Sequence, residues 1–168
     1  HRTRRRQRQM CIRDRSMGSV NLSDEAIDGL VTLQERMVNL IKQLNMPLVE
    51  VSMVIQNMIS PMLESLNKHA VENALELPDR IMNQWPIEKP IHDEVKSSLA
   101  VEKILSVIDE ERMDILETLV RVTMVETEMI LLDGIAALRM WEHLARTQLA
   151  NITSPGQLFS PIEIPEDW

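Results

Sequence analysis

Glu126 and Asp133 fall where helical spacing calls for apolar residues, and His69 lies on the apolar stripe of another helix. An acid pair and an imidazole are groups from which a metal site or an acid–base site could be built. The spacing argues against the common forms of such a site. A carboxylate-bridged di-metal bundle places Glu three residues before a ligating His. Here Leu66, Lys89 and Met140 stand three residues before His69, His92 and His143. The His-Glu-x-x-His zinc pattern does not occur. The run DEERMDILE, Asp109 to Glu117, is acidic enough to attract a cation. It lacks the glycine and alternating oxygens of an EF-hand loop, and on a helix its acids spread around more than one face. His143 projects to the polar side of its helix beside Arg139 and Arg146, as a solvated residue. With Gly18, Gly29, Gly134 and Gly156 the only glycines, no phosphate-binding loop can be written. No serine sits in a nucleophile elbow. The expectation is therefore a protein that is not an enzyme, with no catalytic residue, no cofactor and no metal ligand.

The only cysteine, Cys11, lies in the basic stretch RRQRQMCIRDR, Arg5 to Arg15. Back-translated, this stretch spells the transposon-end adapter used in preparing sequencing libraries. Residues 1–16 are accordingly expected to be a non-native, disordered prefix, with either Met17 as the native start or the real N-terminus missing. The chain carries 18 basic and 26 acidic residues, a formal charge of −8. Residues 1–16 hold seven Arg and one Asp; without them 11 basic and 25 acidic residues leave −14. Such a balance repels nucleic-acid backbones, so no direct nucleic-acid binding is expected. There is no Tyr and one Phe, which leaves few platforms on which bases could stack, while 12 Met fill the place of aromatics. No apolar run approaches the ~20 residues of a membrane span, and after Met17 no secretory signal is visible. A cytoplasmic location is expected.

The elements that must position these groups are helical. Ser23 followed by Asp24 and Glu25 is an N-cap with acids in the first turn. Apolar residues from Ile27 to Leu44 recur at helical spacing, which predicts a helix over about 24–45. A second is predicted over 47–76, with a kink or a restart at Ser60-Pro61. Residues 78–90 read as a linker with one helical turn. From Ile91 to Ile152 there is no proline and one glycine, Gly134, and a third helix is predicted over 91–152. Unbroken, it would be on the order of 90 Å long; a break near Asp133-Gly134 would fold it back. Residues 151–168 hold three prolines and cannot continue it, so an extended acidic tail is expected. The fold class is all-α: a single helical domain over 17–150, a bundle or coiled-coil-like hairpin built on one long amphipathic helix, with a Pro-rich tail.

Along the third helix a heptad-like seam runs through Val101, Leu105, Ile108, Arg112, Ile115, Leu119, Val122, Glu126 and Met129. Charges in such a seam have three readings. They fix register between two copies, Arg112 of one facing Glu126 of the other in an antiparallel pair; they form an acid–base or metal site with His69; or they reach solvent at the edge of a stripe wider than the seam. His69 and Asn73 are the expected partners of Glu126. In the tail, Phe159, Ile162, Ile164 and Trp168 could anchor a docking segment. The expected function is that of a non-enzymatic helical assembly, adaptor or chaperone-like protein acting through apolar helix faces. Its partners would be a second copy, in a homo-oligomer, and another protein. The alternative is an acidic regulator that occupies the basic groove of a nucleic-acid-binding protein.

Overall fold

A computed structural model describes residues 23–88, 101–152 and 154–160. The prefix 1–16, the linker end 89–90 and the start of the third predicted helix, 91–100, lie outside the described residues, as do Ile162, Ile164 and Trp168. The described residues form six helices: α1 (Asp24–Leu44), α2 (Leu48–Glu72), α3 (Asp79–Met82), α4 (Val101–Val107), α5 (Glu110–Glu126) and α6 (Leu131–Leu149). The fold is all-α.

Helix α1 begins where Ser23 Oγ accepts the Ala26 N–H, with Asp24 and Glu25 in the first turn. Its buried residues, Gly29, Leu33, Met37 and Ile41, recur every fourth position and so form one narrow face. Helix α2 runs unbroken through Pro61, without the expected kink or restart at Ser60. Proline removes the N–H that would reach the carbonyl of Asn57. Asn57 and Pro61 are both exposed, so that carbonyl faces water and the helix tolerates the lost bond. The one-turn helix α3 follows Pro78 in the segment expected to hold a single turn.

The single long helix expected over 91–152 is not what forms. Among the described residues it is three helices, and both breaks have a local cause. At the first, the Asp109 carboxylate accepts the N–H groups of Glu111 (2.9 Å) and Arg112 (3.4 Å), capping α5 and ending continuity with α4. At the second, Glu128 takes the left-handed conformation at φ 49°. The Met129 N–H then returns to Met124 O and the Glu128 N–H to Val125 O. This is the Schellman pattern of helix termination. The break falls at Thr127–Ile130, ahead of the Asp133-Gly134 position that the glycine suggested, and Gly134 lies inside α6.

The same termination recurs twice. Asn45 (φ 47°) ends α1, with Met46 N–H bonding Ile41 O, and Ala74 (φ 52°) follows α2, with Leu75 N–H bonding Ala70 O. In all three the residue just past the turn is apolar, as is the one whose carbonyl its N–H reaches: Met46 and Ile41, Leu75 and Ala70, Met129 and Met124.

Helix α2 is central. It packs mainly against α6 and also against α5, while α1 packs on α5. One apolar core joins Leu33, Met37 and Ile41 of α1, Leu48 to Ile59 of α2, Leu116 and Val120 of α5, and Leu138, Trp141 and Ala145 of α6. The described part of the predicted tail also belongs to this domain. Residues 154–160 lie along the α1–α2 turn, where Leu48 N–H bonds Gln157 O and Phe159 N–H bonds Met46 O. Phe159 is buried and stacks on Trp141, ring centroids 5.3 Å apart. Phe159, expected as an anchor for a partner, packs here in the core of its own chain. The last turn of α6 holds the strap as well: the Gln148 side chain exchanges two hydrogen bonds with the backbone of Ser160.

Candidate functional site

Three arrangements of side chains could carry function: two ion pairs, an outer apolar ridge and a cleft.

The first ion pair joins Glu50 in the first turn of α2 to Arg112 in the first turn of α5. Arg112 Nε donates to Glu50 Oε1 at 2.8 Å and Nη2 to Oε2 at 2.9 Å, and Nη2 also donates to Val107 O. The carboxylate is wholly buried, while the Arg112 side chain keeps 29 % of its surface exposed. The hydrogen bonds to Glu50 raise the Arg112 pKa above its ordinary value, against an opposing effect of desolvation. The pair pins α5 to the start of α2. Arg112 was expected to meet Glu126 of a second copy, and it is committed within its own chain.

The second pair, Arg139–Glu142, lies one turn apart on α6, both side chains only 4 % exposed. Arg139 also donates from Nε to Ile81 O and from Nη2 to Met82 O, which are orphan carbonyls at the end of the short helix α3. Arg146 donates to Trp85 O. Two arginines of α6 thus hold residues 81–85 against the bundle. Arg139, expected on a solvated face, is one of the most deeply held charges in the protein, and His143 is half-buried beside the Trp85 ring, centroids 5.7 Å apart.

The seam residues do not come together in the core. Val101, Leu105, Ile115 and Val122 are exposed, and Ile108, Leu119 and Met129 are half-buried. The residues of α5 that face the core are Leu116, Val120 and Thr123, each one position further along the chain. At 3.6 residues per turn the two sets are centred about 100° apart on the helix. The apolar sector of α5 is therefore broader than the face its own core covers, and Ile115, Leu119 and Val122 form an outer ridge. Glu126 is exposed at the edge of that sector. Arg36 of α1 bonds it and also bonds Thr123 Oγ1. His69 and Asn73, the expected partners of Glu126, bond each other instead.

The cleft opens between α1, the α3 segment and α6 and encloses about 520 Å³. Its walls are mostly apolar, with Leu30 and Leu33 on one side and Ala136, Met140 and Trp141 on the other. Two charged residues line it. Arg80 is exposed, with its guanidinium 4.7 Å from the centre of the Trp85 ring. Asp133, third residue of α6, has no hydrogen-bond or ion-pair partner among the described residues, and burial pushes its carboxyl above the ordinary aspartate range. Asp133 and His69 do not share a site, and no group of three or more His, Cys, Asp or Glu gathers among the described residues as a metal would require.

Sequence reasoning missed Glu50, Arg36 and the internal role of Arg139 and Glu142. Glu50 had a signal, being the only charged residue between Lys42 and Glu64. A lone charge in so apolar a run must find a partner when buried. No described helix is long and apolar enough to cross a membrane. No family model, curated protein or solved structure matches the chain.

Proposed function

We propose that the chain is a non-enzymatic helical interaction module, an assembly or adaptor protein whose outer ridge on α5 packs against an apolar helix, first of all that of a second copy. The observation that carries this reading is the ridge itself. Ile115, Leu119 and Val122 repeat at steps of four and three, the spacing by which one helix seats in another, yet Ile115 and Val122 are exposed and Leu119 is only half-buried. The exposed Val101 and Leu105 continue the same spacing on α4. Beside the ridge, Glu117 accepts from Arg121 at 2.7 Å, a flanking ion pair of the kind that borders helix–helix seams. The Met-rich interior supports a fold that adapts to what it packs against.

Sedimentation of the full chain with and without Ile115→Glu and Val122→Glu tests the proposal. The unsubstituted chain is expected to associate, the substituted one to sediment as a monomer with unchanged helix content. Association driven by apolar packing should persist as salt is raised. A chain that stays monomeric in both forms overturns self-pairing. Capture of a basic protein that is lost with rising salt would instead favour the acidic regulator.

A further inference from the structure

We propose that the cleft between α1, the α3 segment and α6 binds a small protonated amine with an apolar body, with the Asp133 carboxylate as its counter-ion. The site is separate from the ridge and does not depend on self-association.

Its size, about 520 Å³, lies in the range of clefts that enclose small organic ligands. The Leu30, Leu132 and Met140 walls offer a half-buried apolar surface that an aromatic or aliphatic body would cover. The charge selects the sign of the ligand. A carboxylate drawn partly out of water, with no donor among the described residues, favours a ligand that brings it a charged donor. An ammonium group restores both the donor and the opposite charge. Arg80 is the other charged residue lining the cleft, and it does not ion-pair with Asp133. Because it is exposed and stacked on Trp85, its own charge is met by water and the indole face. It disfavours a cation on its side of the cleft, so the amine belongs at Asp133 and the apolar body extends along α6.

The two charges give opposite and separable predictions. Phenethylamine, phenethyl alcohol and hydrocinnamate share a phenyl body and differ in charge. Each is titrated into the full chain, followed by indole fluorescence and by amide chemical shifts. The amine is expected to saturate, to shift resonances of α6 and residues 80–85, and to bind about tenfold or more tightly than the alcohol, the scale of a hydrogen bond to a charged group. Hydrocinnamate is expected to bind weakest. Asp133→Asn should remove the advantage of the amine over the alcohol, while Arg80→Gln should strengthen amine binding. Thermal melts confirm that both variants fold. Equal binding of amine and alcohol overturns the proposal, as does an unchanged amine affinity in Asp133→Asn or an amine titration that never saturates.

Discussion

Removing Arg112 should damage this protein more than neutralising Glu50, although the two residues form one ion pair. Glu50 is wholly buried, whereas Arg112 keeps 29 % of its side chain in contact with solvent. In Arg112→Met the carboxylate loses its bidentate partner and stays in the core, uncompensated. Breaking a buried pair in this way costs about 3–5 kcal/mol. Domains are stable by ~5–15 kcal/mol in total, so this is a large fraction. For a chain of this length it corresponds to a fall in Tm of roughly 6–20 °C. In Glu50→Gln the residue left behind is a guanidinium that water already reaches, and an amide that still accepts one hydrogen bond faces it. That variant should lose only about 1–3 kcal/mol. The double variant Glu50→Met with Arg112→Met strands no charge and should recover most of the loss, since buried pairs exchange for apolar residues at little cost. Urea unfolding followed by circular dichroism measures all four proteins. The reasoning fails if Glu50→Gln costs as much as Arg112→Met, or if the double variant is no better than the worse single one.

Other substitutions test the remaining contacts. Burial raises the Asp133 carboxyl above its ordinary value of 3.8, so the folded state resists its ionisation. The parent should lose stability as pH rises through 3.8 toward the folded-state value, and below 3.8, where both states hold the proton, the penalty is absent. Asp133→Asn should therefore be more stable than the parent at neutral pH and equal to it in acid. This holds although Asp133 sits in the first turn of α6, where a negative charge is normally favoured. A variant less stable at neutral pH would refute that balance in thermal unfolding. Gly134→Ala should stabilise by about 0.5–1 kcal/mol, the helix-propensity difference. The atoms its Cβ would meet, the ends of Met62 and Met124, are flexible. Gly29→Ala should gain less or lose, because its Cβ would come within 3.2 Å of Thr127 Cβ, and Thr127 Oγ1 is tied to Thr123 O. Phe159→Ala should cost about 3 kcal/mol and change the fluorescence of Trp141, on which the ring stacks.

The helical class and the first two helices were legible because their signals are local. Ser23, Asp24 and Glu25 mark the start of α1, and Asn45-Met46-Pro47 marks the turn before α2. The single turn after Pro78 was legible too. The breaks in the third region were harder to see because the described helices end without glycine. At Asn45, Ala74 and Glu128 the left-handed residue carries a side chain, and what marks the site is an apolar residue just beyond it whose N–H returns to the last turn of the helix. In VETEMI, the run from Val125 to Ile130, that residue is Met129, which also satisfies the heptad pattern and so reads as more helix. Asp109 was equally ambiguous, since a string of acids looks like a solvated face until one of them turns to cap the next helix.

The phase of α5 shows why the candidate surface could not be read from spacing alone. Ile115, Leu119 and Val122 obey the four-three rule, and so do Leu116, Val120 and Thr123, one residue along. Composition favours the first set, which is wholly aliphatic, while the buried set includes a threonine. Charges far away in sequence accompany the choice. Glu50 lies 62 positions before Arg112 and Arg36 lies 90 before Glu126, and each pair can close only when α5 is rotated to bring its arginine or glutamate toward α2 or α1. That rotation turns Leu116 and Val120 inward and leaves the aliphatic set outside. We attribute the rotation of the helix, and with it the exposed ridge, to the polar residues that looked like intruders in a seam. The double variant Glu50→Met with Arg112→Met, combined with Arg36→Met and Glu126→Met, removes both constraints. Helix α5 should then lose its unique packing, seen as broadened amide resonances along it, even where stability is retained. Sharp, unshifted α5 resonances in that variant would show that apolar packing alone fixes the phase.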